Sequence, residues 1–350
     1  MARVPEGATL PVLRVAGGHD ALGAAVGRAF RERIQVSART ALEGLAREGI
    51  DEAVLRERIA PALDAAERWT PEYLAELRAW ARAADVPLEV LSYLSSAGLP
   101  PAPSAAHGCT SLAVRGPRGG ILVGHTEDSL VPVAEEVFLL DATVTDARRP
   151  GRFLSLCYVY ALPGCSASLN GRGLAVLMDY LPDPDAGQGL PMDFVTRALL
   201  DAPSIDAALD FLAATPRGGS GNCVLAQGGR VVNVELTSTR MAITDATREG
   251  AWVHANHFLD PVLAKAAGVP QADSLPRYAA GKRLARPGLD LDGVRSILAD
   301  RQGFPDSICR ERTIAGFVAD TDSGEVRVCW GEPAHGTWTS HQLHGGAPAP

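Results

Sequence analysis

The chain holds no run of about 18 uninterrupted apolar residues, so nothing in it reads as a membrane-spanning helix. Its first residues, MARVPEGATLPVLRVAGG, lack the apolar core of a signal peptide. None of the six cysteines (Cys109, Cys157, Cys165, Cys223, Cys309, Cys329) stands in a CxxC or zinc-ribbon spacing. A reduced, cytoplasmic protein is therefore expected, with most thiols acting as small buried hydrophobes. Basic residues are scattered rather than clustered, and the net charge is −8, which argues against a nucleic-acid partner. There is no GxxxxGK[ST] loop, no GxGxxG opening a helix and no HExxH. The glycine cluster around Ser220 fails the G-x-S-x-G pattern of a serine nucleophile elbow. His254 and His257 lack a third ligand at sensible spacing, so no metal site is expected.

What is present changes character near residue 100. Residues 20–98 are rich in good helix formers, and Thr70-Pro71 reads as a helix start, a capping hydroxyl before a proline. Tyr73, Leu77, Trp80 and Ala84 then recur on one helical face. A proline- and alanine-rich connector, LPPAPSAAHG, leads into short β-rich runs: TSLAVR, GILVGHTED, EVFLLDATV, FLSLCYVYAL and GLAVLMDYL. Two helices are expected over MDFVTRALLDA and SIDAALDFLAAT, the second capped by Ser204. Strands resume at NCVLAQ, VVNVELTS and AWVHANHFL. A helix near LDGVRSILAD precedes a last hairpin, RTIAGFVAD and EVRVCW. Strand blocks bracketing a helical pair predict an α+β fold of stacked sheets covered by helices.

Cys109, in HGCTSLAV, sits where the connector becomes the first strand. A lone cysteine is usually a core residue. Here glycine precedes it, leaving room for the thiol to attack the Gly108 carbonyl. An N-to-S shift and hydrolysis would then free Cys109 as a new N-terminus, whose α-amine (ordinary pKa about 7.7–8.0) can serve as base for its own thiol. Asp128, in GHTEDS, can reach the new ammonium if the two strands form a hairpin; it reads equally as an aspartate at a loop start. Glu127, pointing to the other side of the strand, is set aside. Asn170, in SLNGRGLAV, lies in a glycine-rich turn where it is either a turn former or a source of a backbone N–H. Asn256, in HANHF, can offer a side-chain amide to an oxyanion. Arg310 and Arg312 are either a solvated face or a substrate anchor.

Together GCTSLAV, GHTEDS, LPGCSASLNGRGLAVLMDYL, VHANHF and RTIAGFVAD resemble, in order and spacing, the acyl-coenzyme A:isopenicillin N acyltransferase family of N-terminal-nucleophile hydrolases. That family includes β-alanyl-amine hydrolases, with bile salt hydrolases as more distant relatives. The resemblance implies a four-layer αββα sandwich at 109–344 after a helical propeptide at 1–108; the tail at 345–350, within GGAPAP, is expected to be disordered from its own composition. It implies Cys109 as nucleophile, Asp128 as partner of its α-amine, and Asn170 (backbone) and Asn256 (side chain) as the oxyanion hole. His125 and Thr126 fall near the thiol, and Arg310 or Arg312 near the site. Such an enzyme would cut or form an amide bond of a small N-acyl amine or peptide-like compound and need no cofactor, unless a coenzyme A thioester serves as acyl donor. The apolar helix faces predict that the two fragments stay together after the cut. Two alternatives remain: a thiol hydrolase without self-cleavage, with His107 or His257 as base, and a catalytically silent binding protein on the same fold.

Overall fold

The computed structural model describes residues 4–5, 7–95, 108–129, 131–146, 151–185 and 187–343. His107 and the expected tail at 345–350 lie outside the described residues.

Two sheets form the centre. The larger has eight strands in the order β1-β4-β5-β6-β7-β8-β9-β10, and the smaller six in the order β11-β2-β3-β12-β13-β14. Their bounds are β1 Val12–Gly17, β2 Gly108–Arg115, β3 Ile121–Asp128, β4 Val137–Val144, β5 Gly151–Tyr158, β6 Ala167–Asn170 and β7 Ala175–Asp179. The remaining strands are β8 Gly221–Gln227, β9 Arg230–Leu236, β10 Met241–Asp245, β11 Ala251–His254, β12 Thr313–Asp320, β13 Glu325–Trp330 and β14 Trp338–Gln342. The helices are α1 His19–Ala29, α2 Arg31–Arg47, α3 Glu52–Trp69, α4 Pro71–Ala84, α5 Leu88–Ser95, α6 Met192–Leu200, α7 Ile205–Ala214, α8 Pro261–Ala267, α9 Ser274–Leu284 and α10 Leu291–Leu298.

Strand alternation distributes the apolar residues over three cores. Leu139, Leu154, Leu156 and Leu177 of the large sheet meet Ala113, Val123, Phe317 and Val328 of the small one. On the outer face of the large sheet, Phe138, Leu140, Phe153 and Val176 pack under α1, α4, α6 and α7. On the outer face of the small sheet, Leu112, Val114, Leu122 and Val318 pack under α9 and α10 through Val294, Ile297 and Leu298. The layers therefore run helix, sheet, sheet, helix, an αββα sandwich.

The N-terminal segment is less purely helical than its composition suggests. Val12–Gly17 forms β1, which pairs in parallel with β4 at the edge of the large sheet. Thr70 precedes α4, but its hydroxyl donates back to the Ala66 carbonyl at 3.4 Å instead of capping the new helix. Ser204 does cap α7, accepting from Ala207 N at 3.2 Å. A buried ion cluster ties this segment to the rest: His19 Nδ1 lies 2.7 Å from Glu76 Oε2, and Arg197 of α6 donates to the same oxygen at 3.3 Å. Arg197 also pairs with Asp201 at 2.7 Å and stacks over Tyr73 at 4.7 Å. A charge buried this deeply persists because every partner is charged or hydrogen-bonded.

Helices α1 and α4 touch backbone to backbone because Gly23 and Gly27 present no side chain. A Cβ on Gly23 would overlap the Glu76 carbonyl oxygen and lie 3.0 Å from Trp80 N. Gly23→Ala therefore trades a helix-propensity gain of about 1 kcal/mol for overpacking that costs about 1–3 kcal/mol. We expect the overpacking to fall near the top of its range because the obstacle is backbone, leaving a net loss of about 2 kcal/mol. Urea unfolding should show a lower midpoint at unchanged slope; an equal or higher midpoint would mean the two helices separate freely.

Candidate active site

The β2–β3 hairpin places the cysteine. Its loop spans residues 116–120, and with Arg115 opposite Ile121 the register sets Cys109 opposite Glu127 and Gly108 opposite Asp128. Directly opposed residues share a face of the sheet. Cys109, Ser111, His125 and Glu127 consequently point into the space between the sheets, whereas Thr110, Thr126 and Asp128 point toward the α9–α10 layer.

Cys109 is buried, and its thiol donates to Glu127 Oε1 at 3.5 Å. Glu127 also accepts from Tyr158 Oη at 3.0 Å and from Ser166 Oγ, and its second oxygen lies 3.2 Å from His125 Nε2. The network continues from His125 Nδ1 to Ser111 Oγ at 3.0 Å, and from Ser111 to Asp179 Oδ1 at 2.7 Å. Asp179 accepts from Asn222 Nδ2 at 3.0 Å and lies 3.3 Å from His254 Nδ1, whose Nε2 is 2.9 Å from Glu235 Oε1. Burial, reinforced by the charges of Glu127, Asp179 and Asp128, pushes the Cys109 thiol well above its ordinary range. Burial alone would lower His125, but its bond to Glu127 and the nearby carboxylates outweigh that and raise it. The donor atoms of Cys109, His125 and Glu127 all lie within 4.8 Å of one another.

Around the peptide bond itself stands a second group. Cys109 N–H donates to Asn256 Oδ1 at 2.8 Å, while Asn256 Nδ2 donates to the Tyr180 carbonyl at 3.0 Å. Asn256 thus meets Cys109 as an acceptor, with its donor turned away. Arg277 of α9 donates to the Cys109 carbonyl, to Thr110 Oγ1 at 3.0 Å and to Asn256 Oδ1 at 2.6 Å. Asp128 accepts from Arg310 Nε at 2.7 Å and from Thr313 Oγ1 at 2.7 Å, and Arg310 also pairs with Asp273. Arg310 Nη2 is buried without a partner among the described residues, aimed at Gly108, where a Cβ would collide with it. On the outer side of Arg310 and Asp273 lies a cleft of about 570 Å³, lined also by Gln271, Pro305, Glu311 and Arg312.

The structure therefore brings together Gly108, Cys109, His125, Asp128, Asn256 and Arg310. It does not bring Asn170 to them: its N–H donates to the Leu174 carbonyl at 3.0 Å, and its amide donates to the Leu200 and Ala202 carbonyls at 2.8 and 3.0 Å. That is the turn-former role. Thr126 faces away from the thiol, its hydroxyl buried without a partner among the described residues. Arg312 lines the cleft beside Arg310. His257 bonds Ser274 Oγ at 2.7 Å, and burial pulls it down to about 4. Sequence reasoning missed Glu127 because alternation was applied without register: Glu127 and Asp128 do point apart, but the loop sets Glu127 on the cysteine's face. Arg277 and Asp179 carry no motif, and only the fold delivers them.

His254, between Asp179 and Glu235, is raised to about 9 against an ordinary 6.5: burial opposes, and the two carboxylates win. A folded-state value above the unfolded one stabilises fully below about pH 6.5 and is lost as pH rises through about 9. The difference corresponds to about 3 kcal/mol. In urea unfolding we expect the wild type to lose stability of that order between pH 6.5 and 9.5, and His254→Gln to be weaker at pH 6.5 with a flatter profile. Parallel profiles would remove His254 from this account.

Comparison with known proteins gives three findings. A family model described as acyl-coenzyme A:6-aminopenicillanic acid acyl-transferase matches residues 114–335, beginning in β2 just beyond Cys109. A β-alanyl-dopamine/carcinine hydrolase of Drosophila melanogaster is 25% identical over 244 residues, covering 63% of this chain and 61% of that protein. The chain thus matches about three-fifths of the length of this curated relative. Two solved structures of conjugated bile acid hydrolase from Clostridium perfringens, a mutant and a variant, align with TM-scores of 0.40 and 0.37 at 11% and 12% identity. Each alignment covers 67% of this chain, with 96% and 97% of the other chain.

Proposed function

The chain belongs to the acyl-coenzyme A:6-aminopenicillanic acid acyl-transferase family, and from that premise we propose that it cuts its own Gly108–Cys109 bond and then works through Cys109. At the coarser level it is an N-terminal-nucleophile amide hydrolase or acyltransferase. The observation that carries the finer reading is the arrangement at the bond itself. The nitrogen that must leave in self-cleavage is held by Asn256 Oδ1, the Cys109 carbonyl by Arg277, and Gly108 lies against the Arg310–Asp128 pair. These contacts hold the leaving nitrogen directly and position the residues on either side of the bond.

In this reading the freed α-ammonium keeps Asn256 Oδ1 as acceptor and has Asp128 nearby as a counter-charge. The thiol then attacks an amide or thioester carbonyl, the α-amine shuttles the proton, and an acyl-cysteine forms. Water ends the cycle in hydrolysis and an amine ends it in transfer; a coenzyme A thioester is the candidate activated donor. The substrate is a small N-acyl amine or peptide-like compound, and the cleft beside Arg310 is its candidate approach. No helix among the described residues is long and apolar enough to cross a membrane. Six unpaired cysteines are suited to a reducing compartment, which favours the cytoplasm.

On a denaturing gel, wild type should give two pieces, the larger beginning Cys-Thr-Ser, and Cys109→Ala a single intact chain. A wild-type chain that stays whole over days would overturn the reading. The pieces should co-elute in gel filtration without denaturant, because β1 pairs with β4 and His19 and Glu76 pack with Arg197 across the cut. Separate elution would overturn the association.

A further inference from the structure

We propose that Glu127 is the general base that starts self-cleavage, a role resting on the reading above and distinct from that of the mature α-amine. The need for such a base follows from the order of events. Before the cut the α-amine is an amide nitrogen with no proton affinity to offer. Yet the thiol must lose its proton in order to attack, and it is buried among carboxylates that disfavour a thiolate. A carboxylate bonded to the thiol proton resolves this, and Glu127 Oε1 is the acceptor the thiol already has, at 3.5 Å.

The surroundings suit the task. Tyr158 Oη bonds the same oxygen at 3.0 Å, while Ser166 and His125 hold the other, so the carboxylate is fixed in position. His125 sits between Glu127 and Ser111, itself bonded to Asp179, so the ring is held in place against the carboxylate. Glu127 takes the Sγ proton as the Sγ–C bond to the Gly108 carbonyl carbon forms. The Gly108 C–Cys109 N bond then breaks, and the nitrogen leaves with the proton Glu127 had taken. One water hydrolyses the resulting thioester, leaving the Gly108 carboxylate, a free thiol and the new α-amine. Glu127 touches the reacting proton once in the life of each molecule.

The test is a time course of full-length chain made by cell-free synthesis, with precursor followed on denaturing gels from pH 6 to 9. We expect Glu127→Gln to slow conversion by about 10²-fold or more. Its residual rate should climb by about tenfold per pH unit, because hydroxide must then remove the thiol proton. Wild type should show a flatter profile. A melting transition checks that the Gln chain folds; if it does not, Glu127→Asp takes its place, and should cleave more slowly than wild type while keeping the wild-type pH slope. Cleavage of the Gln chain at the wild-type rate overturns the role of Glu127 while leaving self-cleavage standing. So does a slowed rate with an unchanged pH slope, which marks a merely structural part. An Asp chain cleaving at the wild-type rate, or with the hydroxide slope, overturns it too. An intact wild type defeats self-cleavage itself.

Discussion

The surroundings of Cys109 depend on how β2 is registered against β3. Side chains alternate along a strand, so a slip of one residue would turn every inward group outward. The thiol would then lie among the apolar side chains under α10, and Leu112 and Leu122 would face the other sheet. Two things prevent this. Within the loop at 116–120, Gly116 N bonds the Gly120 carbonyl at 2.8 Å, and Gly119 N returns to the Gly116 carbonyl at 3.0 Å. Gly119 takes a φ of +89°, which side-chain-bearing residues rarely adopt. Beyond the loop, Ala113, Ile121 and Val123 bury in one core and Leu112, Val114 and Leu122 in another. The hydrophobic pattern of the hairpin therefore aims the chemistry at its open end.

Placing so many ionisable groups in the interior is costly unless each is matched. The inter-sheet network matches them in sequence: Glu127 with His125, Asp179 with His254, His254 with Glu235. Glu235 in turn accepts from Asp260 N at 2.8 Å, a backbone donor just ahead of α8. The opposite face follows the same rule, with Asp128 and Asp273 both held by Arg310. Two polar networks thus lie on either side of Cys109, which belongs to both, through its thiol on one side and its N–H and carbonyl on the other. The N-terminal segment is anchored by a third buried cluster around Glu76 and Arg197.

Much of this was legible in the sequence. The change of character near residue 100, the strands from TSLAVR to EVRVCW, and the cap at Ser204 follow from local signals. So do the glycine before Cys109 and the hairpin that brings GHTEDS beside it. Other parts were not, for physical reasons. β1 is six residues at a sheet edge whose pairing with β4 comes from far along the chain, so no local pattern announces it. Asn170 has the look of a site residue, and its own turn consumes its N–H. Glu127 was within reach, because counting pairs outward from the 116–120 loop sets it opposite Cys109. Arg277 was not, since a lone arginine in a helix with no apolar face signals nothing until α9 is laid across β2 and β11.

The proposed chemistry also accounts for the unusual electrostatics of the uncut chain. A thiol made a weak acid by burial and by three neighbouring carboxylates is a poor constitutive nucleophile, so the precursor would be protected from adventitious acylation and oxidation. The cut changes that balance by chemistry alone. It converts a neutral amide nitrogen, bonded to Asn256 Oδ1, into an ammonium attached to the same residue as the thiol. A positive charge at that distance favours the thiolate, opposing Glu127, Asp179 and Asp128. It also satisfies Asn256 Oδ1, which already faces that nitrogen, with a stronger, charge-assisted bond. The same carboxylates that hold the thiol protonated before the cut would stabilise the ammonium after it, so one constellation serves two opposite states without rearrangement of the sheets.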